Sequence, residues 1–423
     1  MMHGEGKASG MSKVAYGRAT CTSALSLGLC VALLLYSQPA SICAGSSTLV
    51  PETFFGVHIH HIGTITPWPK ARFAEWRLWD AYVAWPNLEP VRGQWHFETL
   101  DRYVWAAEQH DTNILLPLGL TPGWASARPN EPSSYQPGNA AEPRDIEDWR
   151  TYVRTVAQRY KSRIHNYEIW NEPNLRRFWT GDIKEMVALT REAVLIIRAI
   201  DPRATIVSPS ATTASGTTWL LEFLAAGGGR YVDVIGYHLY VMPNPPEDIL
   251  PLIQKVKKIM LENSAGDKPL WDTETGWALP KPFPSEELGA AYLARTHLLG
   301  WSGGVQKLYW YSWDNHAWVT IQTTEKDNKT LTPAGRAYET IYKWMVGASL
   351  EKCAPSGENW ICELDRNGSA EWIVWNPERS ESFIPPAQWH AKFVVSLQGV
   401  SQALGKSGFQ VGPSPALVTS TLQ

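Results

Sequence analysis

From Phe54 to about Val346 the chain alternates short apolar runs with longer amphipathic segments. The runs are FFGVHIH at 54–60, WRLW at 76–79, NILLPLGL at 113–120, NYEIWNE at 166–172, TIVSPS at 205–210, VDVIGYHLY at 232–240, PLWDTET at 269–275 and KLYWYSW at 307–313. Alternation of this kind predicts parallel strands joined by crossover helices. The intervening segments carry helix signals. Asp145 precedes a stripe of Ile146, Trp149, Tyr152, Val153, Val156, Ala157 and Tyr160, and Asp182 with Glu185 opens a second helix that stops at Asp201-Pro202. Further helices are expected over 250–260 and 285–299. Eight strands, each followed by a helix, in about 290 residues is an α/β fold of the TIM (β/α)8 barrel type.

After Gly347 the texture changes to short alternating runs broken by Gly, Pro, Asn and Ser, such as Glu371-Trp372-Ile373-Val374-Trp375. This predicts a small C-terminal antiparallel β-sandwich packed on the barrel. The expected organisation is a targeting segment over 1–44, a barrel over 45–346 and a sandwich over 347–423. Lys7, Lys13 and Arg18 before the apolar run from Ala24 to Tyr36 read as a signal peptide, with an uncleaved anchor as the alternative. A secreted or periplasmic location follows. Cys353 and Cys362, about nine residues apart around a Pro-Ser-Gly turn, suit a disulfide that closes a hairpin.

A formal charge of -3 from 38 basic and 41 acidic residues provides no field for nucleic acid or an anionic membrane. With 22 tryptophans, the chain is better suited to a carbohydrate, whose C–H faces stack on indole rings. No stable membrane partner is expected after signal cleavage.

In a barrel of this type chemistry sits where the strands end. Those positions hold His58 and His60 in the first strand, Arg77 in the second, Trp124 after the third, Asn171 and Glu172 in the fourth, His238 and Tyr240 in the sixth, Glu274 in the seventh and Trp313 in the eighth. Strict alternation would turn Glu172, Trp170 and Glu168 to one face, and Glu274 and Asp272 likewise. Glu172 and Glu274 would then face each other across the mouth, one to protonate a leaving oxygen and the other to attack an anomeric carbon. Both groups are side chains, so no cofactor is needed. His58, His60 and His61 lack metal-ligand spacing, and no metal is expected.

The stretch Asn171-Glu172-Pro173 on the fourth strand and Thr273-Glu274-Thr275-Gly276 on the seventh, about a hundred residues later, resembles the glycoside hydrolases of clan A. The longer Trp170-Asn171-Glu172-Pro173-Asn174-Leu175 with Phe178-Trp179 is most similar to family 39, which includes β-xylosidases, α-L-iduronidases and enzymes that cleave bacterial exopolysaccharides. The likeness spans about 54–345 and extends to the trailing sandwich. It departs after the seventh-strand threonine, where Glu-Thr-Gly-Trp stands in place of the Glu-Phe or Glu-Trp usual in family 39 xylosidases.

The resemblance implies an O-glycosyl hydrolase that retains configuration. Glu172 would be the acid/base, raised by Trp170 and Trp179, and Glu274 the nucleophile, held by Arg77 and Tyr240. Asn171 would bind a sugar 2-hydroxyl. His238 would order the polar shell or touch the sugar, Trp313 would form the floor under the ring, and His58 and His60 would hold other hydroxyls. Glu168 reads as a structural acid. The alternatives are a non-catalytic carbohydrate-binding barrel and an exo-acting enzyme of the β-xylosidase or α-L-iduronidase kind. The Pro- and Gly-rich stretch from Ala127 to Pro143 either closes one end of the cleft or lines it.

Overall fold

A computed structural model describes residues 49–421. The expected targeting segment, 1–44, lies outside the described residues. Nine parallel strands make one curved sheet: β1 Phe55–His58, β2 Glu75–Arg77, β3 Asn113–Pro117, β4 Asn166–Glu168, β5 Thr205–Val207, β6 Ala211–Thr212, β7 Ile235–His238, β8 Leu270–Thr275 and β9 Val305–Trp310. They pair in the order β5-β4-β3-β2-β1-β9-β8-β7-β6. A bridge from Val207 to Val234, the residue before β7, brings β5 beside β7.

The strand expected over 205–210 is thus two pieces. Pro209 has no N–H to give the ladder, and the chain steps there from pairing with β4 to pairing with β7. Ser208 covers the step, its Oγ accepting the Gly236 N–H at 3.0 Å. The fifth barrel strand is β5 with β6, and β7, β8 and β9 are the sixth, seventh and eighth.

The helices are α1 Trp85–Leu88, α2 Glu98–Gln109, α3 Ile146–Arg159, α4 Ile183–Ile200, α5 Gly216–Ala225, α6 Ile249–Glu262, α7 Glu286–Ser302 and α8 Pro333–Met345. The caps act as the residue types suggest. The Asp145 carboxylate accepts the Glu147 N–H, and Asp182 and Glu185 form a reciprocal capping box. Ser285 accepts the Leu288 N–H. Each cap stabilises its helix by about 1 kcal/mol. The stripe on α3 buries Trp149, Tyr152, Val153, Val156 and Ala157.

One expected helix is missing. Residues 59–74 form no helix after β1, because Pro67, Pro69 and Gly63 at φ 74 interrupt any helical run.

The C-terminal part contains β10 Ser349–Ser356, β11 Asn359–Arg366, β12 Ser369–Trp375, β13 Glu381–Phe383, β14 Phe393–Ser396, β15 Ser401–Ala403, β16 Phe409–Val411 and β17 Ala416–Thr419. An antiparallel sheet in the order β10-β11-β12-β17-β14-β15 faces a β13-β16 ribbon, with Trp372 stacked on Trp389 at 4.4 Å between them. Cys353 and Cys362 are cross-strand partners on β10 and β11, and their sulfurs are bonded at 2.03 Å. The other face joins the barrel. Trp375 and Cys362 belong to the barrel's own hydrophobic core, and Trp375 Nε1 donates to Glu247, which is also the partner of Arg295. Among the described residues no helix is long and apolar enough to cross a membrane.

Candidate active site

Arg77 organises the upper interior of the barrel from the end of β2. It is fully buried, and its guanidinium donates to Glu168 (2.6 and 3.1 Å), to Glu274 Oε2 (2.8 Å) and to Asn171 Oδ1 (2.8 Å). Burial alone would lower its proton affinity, but the facing charges of Glu168 and Glu274 outweigh that and raise it. The guanidinium is therefore a fixed cation. Tyr240, at the end of β7, donates its hydroxyl to the other Glu274 oxygen at 2.9 Å. Two donors hold Glu274, one on each oxygen.

Glu172 is placed differently. Its backbone has φ 45, a left-handed conformation that costs a non-glycine residue on the order of 1–3 kcal/mol. The Glu172 N–H donates to Ser210 O at 2.9 Å, which anchors the turn. His238 Nδ1 lies 3.1 Å from Glu172 Oε1, and Arg177 lies 3.7 Å from Oε2 at the exposed edge. Burial pushes Glu172 above the usual carboxylate range, with Arg177 opposing it. Burial also pushes Glu274 up, opposed by His238 and Arg77. The same burial pushes His238 down to about 4, so its ring is neutral at pH 7. Arg77 and Tyr240 donate to Glu274 and favour its ionised form, which makes it the better placed of the two to carry charge.

Glu172 and Glu274 approach each other to within 4.8 Å between oxygens. They line a cavity of about 300 Å³ together with Asn171, Tyr240, Trp79, Asp80, Tyr135, Tyr311 and Trp318. Glu172, His238 and Glu274 are also spaced for a metal ion. Of these three, Arg77 contacts Glu274 alone.

Alternation along the strands does not survive to their ends. Glu168 faces Arg77, but Trp170 turns outward against Trp149 and Trp179, at 6.2 and 4.9 Å, with its Nε1 bonded to Phe178 O. The left-handed turn at Glu172 then brings that carboxylate back inward. Neither Trp170 nor Trp179 lines the cleft, and burial raises Glu172. On β8 the pairing register shifts between Asp272 and Thr275. Thr273 bonds Ser210 and Glu168 in the interior, while Asp272 accepts the Leu239 N–H.

Three more expectations give way. Trp313 is 2% exposed, packs on Tyr338 and does not line the cleft. Trp318, five residues on, takes that place, edge-on to Tyr240 and Tyr311. Trp124 bonds Glu89 O and packs on Trp85 away from the mouth. His58 is buried beneath Tyr311, its Nε2 bound to Thr273 O, with no access to a ligand. His60 lines a neighbouring cavity and not the catalytic one. Of the cleft residues, Trp79, Asp80, Tyr135, Arg177, Tyr311 and Trp318 had no sequence signal of their own; each sits just past a strand or in a loop.

The class so defined is a (β/α)8 barrel with paired carboxylates at the ends of its fourth and seventh strands. Residues 78–302 match the profile of the glycosyl hydrolases family 39, and the chain belongs to that family. It is 27% identical over 229 residues to a β-xylosidase of Geobacillus stearothermophilus, a match covering 48% of this chain and 45% of that one. The chain thus spans about half the length, or less, of the curated β-xylosidases it matches. Among solved structures, a family 39 glycoside hydrolase of Bacteroides cellulosilyticus superposes with a TM-score of 0.72 at 20% identity, over 88% of this chain and 81% of the other. A family 39 β-xylosidase of Caulobacter crescentus does so with a TM-score of 0.66 at 17% identity, over 88% and 97%.

Proposed function

We propose that this chain is a retaining glycosidase in which Glu172 is the acid/base and Glu274 the nucleophile. The observation that carries the reading is the separation of the two carboxylates. Retaining enzymes hold them about 5–5.5 Å apart, and inverting enzymes about 6.5–9.5 Å apart to admit a water. An approach of their oxygens to within 4.8 Å leaves little room for such a water and supports the first. In the first step Glu172 protonates the glycosidic oxygen while a Glu274 oxygen attacks the anomeric carbon, forming a glycosyl ester as the leaving alcohol departs. In the second step Glu172, now ionised, takes a proton from water, which attacks the same carbon and frees Glu274. Arg77 and Tyr240 hold Glu274 in line, and Asn171, fixed by Arg77, presents its amide N–H₂ to a sugar hydroxyl.

The relatives called β-xylosidases support a β-linked sugar as substrate. Export is part of the proposal, supported by the Cys353–Cys362 pair, which suits an oxidising compartment and a polysaccharide outside the cytoplasm, including a bacterial exopolysaccharide. Incubation with a 2-deoxy-2-fluoro β-glycoside bearing a good leaving group tests the reading. A glycosyl mass adduct on the peptide that contains Glu274 is expected; an adduct elsewhere, or product of inverted configuration, would overturn it.

A further inference from the structure

A second cavity adjoins the catalytic cleft, and the reaction above does not use it. It encloses about 570 Å³, well within the roughly 300–1,000 Å³ of small-molecule sites. Its walls are the chain beyond β1, β2 and β9 together with the loop 127–143. Trp79, Asp80, Tyr135 and Asn315 line both cavities, so the two share a wall. That wall is held in place by the hydroxyls of Tyr135 and Tyr311, both donating to the Asp80 carboxylate.

Three observations mark the cavity as built for a ligand. Tyr82 lines it and is 63% exposed, an aromatic ring left uncovered. Asp80 and Tyr82 both have left-handed backbones, at φ 56 and 60, and strain in bulky residues persists where the surroundings enforce it, often at ligand sites. His60 is 2% exposed, and its Nε2 has no hydrogen-bond partner. The other acid there, Asp314, is already satisfied by the His60 and His61 N–H groups and the Thr66 hydroxyl. His61 lies 3.5 Å from Asp314, which offsets the charge it takes, and what remains open is mixed: Tyr82 as a ring face, with Asn87, Gln136 and His60 as polar groups. Such a lining fits the apolar faces and edge hydroxyls of an uncharged sugar.

We propose that this cavity is a second sugar-binding subsite, taking neutral glycosyl units that adjoin the one being cleaved. The substrate is then an oligosaccharide or polysaccharide and not a lone terminal sugar on an arbitrary aglycone. The proposal rests on the glycosidase reading. It also gives the loop 127–143 its place: Tyr135 lines the boundary between the two cavities and does not close one end of a single pocket.

The test compares 4-nitrophenyl glycosides of a mono-, di- and trisaccharide, in β-linked xylose and glucose series, on wild type and on Tyr82→Ala and Ala317→Trp. Both positions are exposed on the cavity and lie outside the catalytic groups. Wild type is expected to favour the trisaccharide over the monosaccharide in kcat/KM by on the order of 100-fold, since binding energy from remote units is used at the reacting centre. Each variant is expected to cut that ratio about tenfold, the loss of one sugar-binding contact, without changing the monosaccharide rate. A wild-type ratio near one, or an equal fall on both substrates, would sink the subsite. If wild type hydrolyses no glycoside, the glycosidase reading has failed separately, and fluorescence titration with xylohexaose and cellohexaose decides the subsite. Binding that Ala317→Trp abolishes supports it; binding that it leaves intact, or no binding to wild type, overturns it.

Discussion

Two ion clusters fill the barrel interior, one above the other on the same strand. Glu75 and Arg77 are two residues apart on β2, so both point inward, about one pleat repeat, 6 to 7 Å, from each other. Around Glu75 every acceptor is used. Lys307 and Asn113 donate to Oε1 at 2.6 and 3.0 Å, and Tyr309 donates to Oε2 at 3.0 Å. Gly56 makes room for this, because a Cβ there would lie 2.6 Å from the Tyr309 ring. Around Arg77 the side chains are similar but the accounting is open. His58 Nδ1 and His238 Nε2 lack hydrogen-bond partners, and Glu172 Oε2 faces Arg177 at 3.7 Å at the exposed edge. The lower cluster has its buried charge matched to donors and closed off; the upper one turns a pair of carboxylates, Glu172 and Glu274, toward a cavity. The contrast separates a charge kept for packing from a charge kept for chemistry.

Substitutions in the two clusters should therefore fail in different ways. The largest effect is expected at Glu274. Glu274→Gly should lower kcat by roughly 10⁴- to 10⁶-fold, the scale for loss of a covalent nucleophile, with azide restoring turnover as a glycosyl azide of inverted configuration. Survival of most activity would dissolve the comparison.

At Glu172 the expected loss depends on the leaving group. Glu172→Gln should cost about 10²- to 10⁴-fold on alkyl glycosides and far less on the first step with a nitrophenolate. The same variant should be more stable than wild type at pH 7, by about 1 kcal/mol, because it removes an ionisable group whose burial disfavours its charged form. The pH dependence has a definite sign. Burial raises Glu172 above its unfolded value, so the protonated folded form is favoured at low pH and stability falls as pH rises through the folded pKa. Urea titrations at several pH values should show this slope in wild type and a shallower one in Glu172→Gln. Activity on alkyl glycosides should fall over the same rise in pH.

The lower cluster should show the opposite profile. Lys307→Met leaves Glu75 buried without its cation and is expected to cost about 3–5 kcal/mol of stability, measured by denaturant midpoint. The kcat/KM of the folded protein should stay within about twofold of wild type, as no substrate group lies near. A large fall in kcat/KM at unchanged stability would show that the two clusters are coupled. The smallest expected effect is at the cleft wall. Trp318→Ala should raise KM by roughly 2- to 10-fold through loss of one stacking surface, worth about 0.5–1.5 kcal/mol, with little change in stability because the residue is 36% exposed.

Much of this was legible in the amino-acid sequence for a local reason. Helix caps such as Asp145 and the Asp182-Glu185 box need only neighbouring residues, and the strand-helix alternation that defines the barrel is a pattern of the same range. Glu172 and Glu274 were legible because they terminate strands within short polar motifs, and their pairing with Arg77, Tyr240 and His238 follows from the order of strands around a closed barrel. The tertiary structure alone decided which rings meet a ligand. Period-two reading holds only while the ladder is regular, and it ends at the left-handed turn of Glu172, the register shift on β8 and the break at Pro209. Trp170 and Trp313, past the ends of β4 and β9, fall inside the packing. Trp79, Asp80, Tyr135 and Trp318 come from loops whose course is set by contacts far along the chain, such as the bonds that bring Tyr135 and Tyr311 together on Asp80.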